Sequence, residues 1–407
     1  MIRYTLFIAA ALCATGTTQA QTLSVHTGEV TTVFAAASVG NMTYSDSGTA
    51  LTIQGHRFAI ADIDSITASP TASVEAKTVA VNYAGTTAHV TLSGDLANLL
   101  TVTATGSNVS IMASDALADE VSYVLSGESA DGSFYMDGSC KASFTLNNLQ
   151  LTNAHGGGAV TIDCGKRIDI HIPTGTTTTL ADAAGGTHKA CFFVNGHAEF
   201  KGGGTLNVSG NTKHAYASDE YTLFKPSFGT MNVTSAVSDG LHIEQYFRMD
   251  GGTLNVTGTQ GDCVDVGITK DTTDEFNGQI IINAGKLSLN VAADDIKGLK
   301  SDSLITFAGG TLEAEVSGLG TKGISAGTNL IISQLTETPT LVKMNVTGTT
   351  YHKGEPDESK CRGIKAKGDF TFNGGTIQMS VTGKKAKGIS IDGTYRYISG
   401  STNVLPE

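Results

Sequence analysis

The stretch Gly252-Thr-Leu-Asn-Val256 is one copy of a motif that recurs through the second half of the chain. Its apolar Leu254 and Val256 alternate with polar residues, which is typical of a strand with one buried face. We expect Leu254 and Val256 to point inward and Asn255 to point outward. The glycine that opens most copies suits a corner that needs a positive φ angle. Other copies and variants occupy residues 204–208, 229–233, 285–289, 310–314, 343–346 and 375–379.

A second motif precedes these strands and consists of a polar residue, a small residue and an apolar residue. Its copies begin at Lys189, His214, Asp239, Asp262, Lys297, Lys322, Arg362 and Lys387. The steps between them are 25, 25, 23, 35, 25, 40 and 25 residues, so a period near 25 carries insertions at about 267–278 and 348–360. Two short strands in each period, without helical periodicity, predict the coils of a parallel β-helix whose equivalent residues stack ~4.8 Å apart.

The sequence divides into a leader, two short β-rich regions and the repeat. Residues 1–20 predict a signal peptide, because Arg3 precedes a short apolar run and small residues follow it. We expect a small β module at 22–68, a β-rich cap or module that leads into the helix at 73–135, and the β-helix at 136–400. The protein is therefore expected to be exported, to the periplasm, the cell surface or the medium, without membrane insertion.

Composition narrows the fold class to all-β. The 407 residues include 49 glycines, 6 prolines and no tryptophan, and only 16% are charged. Such a composition suits neither a disordered chain nor a helical bundle, since Gly, Thr, Val and Ser dominate. The cysteines after residue 20 are widely spaced and form no CxxC pair. We expect most of them to be buried small apolar residues rather than disulfides or zinc ligands.

The net charge of −12 is unevenly distributed along the chain. Residues 297–407 contain 13 Lys and Arg against 10 Asp and Glu, a balance of +3. The remainder contains 13 against 28, a balance of −15. An acidic N-terminal part and a mildly basic C-terminal part do not favour binding to nucleic acid. Without tryptophan a flat indole platform for sugar rings is excluded, and Tyr216 falls in the apolar column expected in the core.

The motifs Tyr123-Val-Leu-Ser-Gly127, Leu146-Asn-Asn-Leu149, Gly165-Lys-Arg-Ile168, Lys213-His-Ala215 and Ser238-Asp-Gly-Leu-His242 occur in this order. Together they resemble a family of secreted bacterial carbohydrate-binding-domain proteins, similar to a β-helix that binds cellulose and acidic sugars. The resemblance covers about 75–395. It implies a right-handed parallel β-helix, related in shape to pectate lyases, with bound calcium.

The family's Asp-Gly motif is kept only in part along the chain. It stands at Asp239–Gly240 and is altered at Asp262–Cys263. The last four copies replace the aspartate by lysine or arginine, at 297, 322, 362 and 387. The calcium that the resemblance implies is therefore not expected over these last coils.

Aspartates in the second motif are the candidate metal ligands. Asp239 and Asp262 occupy successive coils, Asp265 follows three residues later, and Asp294 and Asp295 precede the next coil. Calcium is the candidate cofactor because it takes six to eight oxygen ligands and tolerates irregular geometry. The alternative is a solvated acidic edge with ordinary turn-forming aspartates.

Basic residues continue the same row and are the candidate carbohydrate ligands. An elongated basic strip suits the carboxylates of uronic acids, which arginine can hold with two hydrogen bonds. The alternative is a set of charged corners that keeps the solenoid soluble. With His242, the candidates are Lys297, Lys300, Lys322, Arg362, Lys365 and Lys387.

Histidines lie on or beside this row as well. His188, His214 and His242 come from neighbouring coils and could meet in space. They could form a transition-metal site, or they could serve hydrogen bonds at the corners of the coils. Of these two roles, hydrogen bonding at the corners is the favoured one.

The most favoured function is noncatalytic binding of plant or microbial polysaccharides, including acidic ones, with the help of calcium. No catalytic residue is assigned. One alternative is a calcium-dependent polysaccharide lyase in which Lys297, near Asp262 and Asp265, removes a proton. The other is a surface adhesin or structural spacer. The glycan and the oligomeric state stay open.

Overall fold

The computed structural model describes residues 21–40, 42–334 and 337–405. Its first region consists of short strands. The signal peptide predicted at 1–20 lies outside the described residues. The first strands are β1 (Thr22–Thr27), β2 (Val30–Ala35), β3 (Thr43–Ser45), β4 (Ala50–Ile53), β5 (His56–Ala59), β6 (Ser65–Ser69), β7 (Thr78–Ala84), β8 (Thr87–Ser93), β9 (Leu100–Thr105) and β10 (Asn108–Ala113).

Helical structure is confined to single 3-10 turns between these strands. They are Ala36–Ser38, Asp46–Gly48, Ile60–Asp62 and Gly94–Leu96. In the part of the chain that the structure describes, no helix has the length and apolar character needed to cross a membrane.

The region 22–68 has a hydrophobic core of its own. Strand β1 pairs antiparallel with β2 and β6, while β3, β4 and β5 form a separate antiparallel sheet. Val25, Phe34, Leu51 and Phe58 are among the residues of this core. Strand β2 also pairs in parallel with β8, so this region continues into the sheet of its neighbour.

Strands β7 to β10, in the first part of the region 73–135, close one end of the main core. Strands β7 and β8 form an antiparallel pair, as do β9 and β10. Strands β7 and β10 each pair in parallel with a strand of the following solenoid. Val79 and Val81 belong to the core cluster that runs on through the solenoid. This arrangement covers the apolar end of the first coil, as a capping unit of a repeat protein must.

The remaining strands form the solenoid. They are β11 (Val121–Ser129), β12 (Ser133–Asp137), β13 (Ala142–Asn153), β14 (Val160–His171), β15 (Thr177–Asp182), β16 (Ala190–Lys201), β17 (Thr205–Gly210), β18 (His214–Ser218), β19 (Thr222–Phe224), β20 (Thr230–Ala236), β21 (Leu241–Ile243), β22 (Tyr246–Met249), β23 (Thr253–Val256), β24 (Val264–Val266), β25 (Gln279–Ile282), β26 (Lys286–Val291), β27 (Lys297–Ser301), β28 (Ile305–Phe307), β29 (Gly310–Val316), β30 (Lys322–Ala326), β31 (Leu330–Ser333), β32 (Thr340–Val346), β33 (Arg362–Ala366), β34 (Phe370–Val381), β35 (Lys387–Ile391) and β36 (Tyr395–Leu405).

Each coil contributes one strand to each of three parallel sheets. Sheet A contains β12, the starts of β14 and β16, then β18, β21, β24, β27, β30, β33 and β35. Sheet B contains the starts of β11 and β13, the ends of β14 and β16, then β19, β22, β25, β28, β31 and the starts of β34 and β36. Sheet C contains the ends of β11 and β13, then β15, β17, β20, β23, β26, β29, β32 and the ends of β34 and β36.

This architecture confirms the predicted all-β parallel β-helix. Leu254 and Val256 are fully buried and Asn255 points outward, as the alternation predicts. The predicted insertion at 267–278 separates β24 from β25, and the second separates β32 from β33. The apolar columns stack coil upon coil into one continuous core, where each buried Leu or Val side chain stabilises the fold by ~1.5–3 kcal/mol.

The predictions that Tyr216 lies in the core and that most of the cysteines are buried are also confirmed. Tyr216 is fully buried, and its hydroxyl group is hydrogen-bonded to the Thr222 hydroxyl at 2.9 Å. Its ring packs edge-on against Phe192 and Phe200 with centroids 5.5 Å apart. The cysteines at 140, 164, 191, 263 and 361 are all free thiols, and every one except Cys140 is buried.

The glycines of the strand motif serve two different purposes. Gly252, Gly285, Gly310 and Gly375 have positive φ angles, as expected at a corner. The expectation is wrong for Gly204 and Gly229, whose φ angles are not positive. A side chain at Gly229 is excluded by space, because a Cβ atom would lie 2.2 Å from the carbonyl oxygen of Gly204 in the preceding coil.

Candidate functional site

Three aspartates of two successive coils meet on sheet A. Asp239 and Asp262 each precede a sheet A strand, and Asp265 lies in the middle of β24. The backbone N–H of Asp262 donates to Asp239 Oδ1 at 2.7 Å, and that of Lys297 donates to Asp262 Oδ1 at 2.7 Å. Each of these two aspartates therefore anchors the next coil with one oxygen. One oxygen of each of the three side chains lies within 4.8 Å of the others, and we call this group the acidic cluster.

Two cationic side chains face the acidic cluster. His242 Nδ1 lies 3.3 Å from Asp239 Oδ2 and 3.3 Å from Asp265 Oδ2. It is not aligned for a hydrogen bond with either oxygen, so the attraction is between charges. Lys300 Nζ donates to Asp265 Oδ1 at 2.7 Å and lies 3.9 Å from Asp262 Oδ2.

The strand register explains why these groups meet. His242, Asp265 and Lys300 are consecutive partners in sheet A, so they form one outward row.

The ionisable side chains in and around the acidic cluster differ strongly in how far their pKa values are shifted. The carboxylate of Asp239, followed by those of Asp265 and Glu244, raises the pKa of His242 to about 11. Burial opposes ionisation of Asp239, but His214 and His242 outweigh it and hold the pKa of Asp239 well below its usual range. Burial dominates at Asp262, where it raises the pKa to about 6. The cluster thus contains two firmly ionised acids and one that ionises reluctantly.

Asp265 and Lys300 form the firmest ion pair of the group. Burial opposes ionisation of Asp265, but His242 and Lys300 hold the pKa of Asp265 below its usual value. Burial also opposes the charge on Lys300, yet Asp265 outweighs it and raises the pKa of Lys300. Both nitrogens that face the acids, those of His242 and Lys300, are therefore protonated at neutral pH.

His214 extends the cluster by one coil. It is almost fully buried, and its ring stacks on His242 with centroids 4.4 Å apart. Burial lowers the pKa of His214, which favours the neutral ring. With Asp239 and His242 it forms a second group of possible ligand atoms within 4.8 Å of one another. His188 is not part of it, because its Nε2 bonds to Asp182 instead.

The oxygen atoms of the cluster fit calcium better than a transition metal. Three carboxylates from two coils are hard oxygen ligands of the kind that calcium prefers. The histidine nitrogens suit a transition metal, but the one on His242 carries a proton that such a metal would have to displace. Asp239, Asp262 and Asp265 are therefore the residues that could hold calcium.

Asp294 and Asp295 lie apart from the acidic cluster. Asp294 Oδ1 accepts a hydrogen bond from the backbone N–H of Leu319 at 2.9 Å. Asp295 has a positive φ angle, and its Oδ1 accepts from Ser359 Oγ at 2.6 Å and from Lys322 Nζ at 3.3 Å. These aspartates tie their turn to the next coil and to the second insertion.

The predicted basic row exists, but most of its charges are engaged within the chain. Lys297 Nζ donates to the carbonyl oxygen of Asp295, and Lys322 Nζ is held by Asp295 and Ser359. Arg362 is buried, with its guanidinium on the carbonyl oxygen of Cys361. Lys365, which follows Lys300 in the neighbouring row, pairs with Asp392.

Lys387 is the exposed member of the basic row. Strand pairing places Lys297, Lys322, Arg362 and Lys387 in one register, so the row is a consequence of the repeat. Among the described residues of this row, Lys387 is the cation without a side-chain partner, so a uronate that lay along the row would meet an unengaged cation at the end nearest the C-terminus.

A stack of rings on sheet B offers no platform for sugars. His197, Tyr221 and Tyr246 lie parallel on successive coils, with centroids 4.6 and 4.7 Å apart. Phe276, from the first insertion, packs edge-on against Tyr246 at 5.6 Å. The ring faces cover each other, so a pyranose ring could reach only their edges. Tyr221 is held further by its hydroxyl group, which donates to Glu199 Oε1 at 2.9 Å.

Sheet C carries a groove of about 880 Å³ that sequence reasoning missed. It runs along the outer face from β23 to β36 and is lined by polar side chains of six coils, among them Asn290, Lys343, Gln378 and Asn403. The outward positions were predictable from the alternation of the motif. That these positions line a groove was not predictable, because the alternation shows which side of the sheet each residue faces and not the shape of the surface between the rows.

Comparison with known proteins places the chain in a family. One solved structure, a polysaccharide lyase-like protein from C. thermocellum described as a gadolinium derivative, is 15% identical to this chain and has a TM-score of 0.46. The alignment covers 80% of this chain and 99% of that one, yet the likeness is too distant to carry a functional assignment. No curated protein matches. A family model described as carbohydrate-binding domain-containing protein matches residues 105–404, and the chain therefore belongs to that family.

Proposed function

We propose that the protein is an exported, noncatalytic polysaccharide-binding protein that recognises plant or microbial glycans along a face of its β-helix. Membership of the carbohydrate-binding domain-containing family supports the binding of carbohydrate. Among its ligands we include acidic glycans, held with calcium at the acidic cluster. The observation that carries this part is the convergence of Asp239, Asp262 and Asp265, from two coils, within 4.8 Å.

The charges at the cluster explain how an acidic glycan could be bound there. One calcium ion could be coordinated by carboxylates of the protein and, at the same time, by carboxylate and hydroxyl oxygens of a uronate. His242 and Lys300 lie at the rim and carry positive charge that suits a uronate carboxylate. The same two residues reduce the repulsion among the aspartates of the cluster.

The protonation of the site favours binding over catalysis. A lyase needs an unprotonated base beside the carbon that loses its proton. Lys300 and His242 are the nitrogens that face the acids, and both are protonated at neutral pH. Lys297, the base suggested by the sequence, turns its Nζ to the carbonyl oxygen of Asp295 instead. Of the groups described around the acidic cluster, His214 favours the neutral form, but it is almost fully buried and stacked on His242, so a substrate carbon could not reach it.

Affinity electrophoresis tests the proposal. The protein is run through gels that contain polygalacturonate, with calcium or with EDTA. We expect retardation in calcium and none in EDTA, because the cation links the cluster to the uronate. Asp262→Asn should reduce the retardation in calcium at least tenfold in apparent affinity, since it removes one charged ligand.

Asp115→Asn is the matched control, because it removes one charge at an exposed position away from the cluster. Retardation that persists in EDTA, or that Asp262→Asn leaves unchanged, would contradict the calcium site. Release of unsaturated sugars from polygalacturonate, seen as ultraviolet absorbance, would contradict the noncatalytic role and favour a lyase. Failure to bind any glycan would favour an adhesin or spacer.

A further inference from the structure

The last coil of the solenoid exposes part of the core. Tyr395 and Tyr397 stand in the inward columns of Phe370 and Phe372, which are fully buried. The ring of Tyr395 stacks on that of Phe370 with centroids 5.0 Å apart. The two tyrosines are nevertheless 45% and 57% exposed, because none of the residues that the structure describes lies over them. A solenoid normally ends in a unit with a polar outer face, and this end presents aromatic core residues instead.

The edge strand of this coil lacks the features that usually keep an edge unpaired. Strand β36 is eleven residues long, contains no lysine or proline, and has Arg396 as its only charged residue. The charge of Arg396 is offset by Asp369, whose Oδ2 lies 3.5 Å from its Nη2. Natural edge strands are commonly protected by lysine, by proline or by short length. Strand β36 is therefore suited to pairing with a strand of another chain.

The bend in β36 allows a second copy of the chain to supply that strand. At Gly400, which has a φ angle of +113°, the strand turns from sheet B into sheet C. A two-fold axis through this corner reverses the direction of the strand. It therefore places the sheet B half of one copy against the sheet C half of the other, in antiparallel pairing.

The faces of the two halves match in this arrangement. Ile398 is the extra residue of a bulge, so it shifts the alternation by one position before Gly400. With that shift, inward residues meet inward residues and outward residues meet outward residues. The pairs between the two copies are Tyr395 with Val404, Tyr397 with Thr402, Arg396 with Asn403, and Ser399 with Ser401.

The charges at the third side of the coil are also complementary. The exposed Lys384, Lys385 and Lys387 lie at the start of β35, and Asp392 follows its end. Antiparallel pairing of β35 with its copy brings the basic start of one strand to the acidic end of the other. Asp392 also pairs with Lys365 of its own chain, so it would be shared between two cations. No cation of β36 faces a cation of the other copy.

The size of this end is sufficient for a stable contact. Strands β35 and β36 contain 5 and 11 residues, which give ~50 Å of edge at ~3.3 Å per residue. With the ~10 Å thickness of a sheet, this edge covers ~500 Å² on each copy. The pair thus reaches ~1,000 Å² in total, about the lower limit for a specific interface, and the core residues inside the coil add to it.

We propose that two copies of this chain join end to end through their last coils, around a two-fold axis that pairs β36 with β36 and β35 with β35. The inference does not rest on glycan binding, because the acidic cluster lies on earlier coils. Such a dimer would present every surface of the solenoid twice on one rigid particle. A long ligand held at both copies would dissociate more slowly than from one.

Light scattering and sedimentation of the purified protein over a range of concentrations test the proposal. We expect the mass to rise from one chain to two and to stop there, because a two-fold interface is used up in the dimer. Ser399→Lys combined with Ser401→Lys places lysine opposite lysine and should weaken the dimer at least tenfold. Ser399→Lys combined with Ser401→Glu places lysine opposite glutamate and should keep the dimer.

Thr101→Lys combined with Thr103→Lys is the matched control. It adds the same two charges at exposed positions of β9, the edge strand at the other end of the helix, and should leave the dimer unchanged. Circular dichroism should show the wild-type fold for all three variants. A wild type that stays monomeric, or that assembles beyond two chains, would overturn the proposal. Equal dimerisation of the two serine variants, or loss of the dimer in the β9 variant, would overturn it as well.

Discussion

At the scale of single residues, Asp262 carries the least favourable charge of the acidic cluster. Burial raises its pKa to about 6, from 3.8, against the opposing charge of Lys297. The folded protein therefore favours the protonated acid, and this contribution to stability is complete below pH 3.8 and lost as the pH rises through about 6. In EDTA at neutral pH, Asp262→Asn should raise the free energy of unfolding by up to ~3 kcal/mol, and the gain should vanish below pH 3.8.

Urea unfolding followed by circular dichroism measures this difference. Exposed Asp115→Asn serves again as the control and should leave the free energy of unfolding unchanged at both pH values. Calcium should stabilise the wild type more than Asp262→Asn. If the Asp262→Asn variant is less stable than the wild type in EDTA at neutral pH, then Asp262 stabilises the fold by its charge and the prediction is wrong.

Single residues of the acidic cluster were predictable to different degrees. Asp239, Asp262 and Asp265 were named from the sequence because equivalent positions of a β-helix stack from coil to coil. His242 and Lys300 were named as sugar ligands, and the structure shows them paired with those acids. Lys297 and Lys300 could not be told apart by sequence, since the direction of each side chain depends on whether it points from a turn or from a strand.

At the scale of a coil, alanine substitutions can separate two reasons why a position requires glycine. One reason is a positive φ angle, and the other is a lack of space for a Cβ atom. Gly310 has a φ angle of +86°, and a Cβ atom there would lie 2.6 Å from the carbonyl oxygen of Gly285. Gly354 has a φ angle of +90° and open space around it. We expect Gly354→Ala to lower the free energy of unfolding by ~1–2 kcal/mol, and Gly310→Ala to lower it by more because two coils must separate.

Thermal and urea unfolding of both variants, side by side, check this comparison. Gly229→Ala adds the third case, because it introduces the clash without a positive φ angle. Equal losses for Gly310→Ala and Gly354→Ala would mean that the adjacent coil moves aside at no measurable cost.

Coils were the most predictable elements, because each repeats the same alternation and length. The strand motif placed sheet C, the polar-small-apolar motif placed sheet A, and their spacing located both insertions. Sheet B carries no equally regular motif, so its strands were not assigned one by one. The groove was not predicted for a related reason. Alternation shows which side chains face outward, but not the shape of the surface between them.

At the scale of the whole molecule, stability should vary along the helix axis. Each coil contacts only its neighbours, and β35 and β36 are paired with the preceding coil on one side only. Strand β36 is almost entirely exposed, whereas β27 is paired on both sides. We expect amides of β36 to exchange with solvent at least tenfold faster than those of β27, as hydrogen exchange with mass spectrometry can measure.

A monomeric sample is the necessary control, established by light scattering. Equal protection of β36 and β27 in such a sample would contradict the nearest-neighbour description. Protection of β36 that appears only at high protein concentration would instead indicate that a second molecule covers this edge.

On sheet C the side chains of Asn207, Asn232 and Asn255 are hydrogen-bonded from coil to coil, and this asparagine ladder has a direction along the helix axis. Its amide groups all point the same way, with each Nδ2 directed toward the previous coil and each Oδ1 toward the next. Their dipoles therefore add along the axis, and the last carbonyl, on Asn255, faces the start of the groove as an acceptor. The groove therefore has a direction of its own, because the ladder holds an oriented amide acceptor at its first coil.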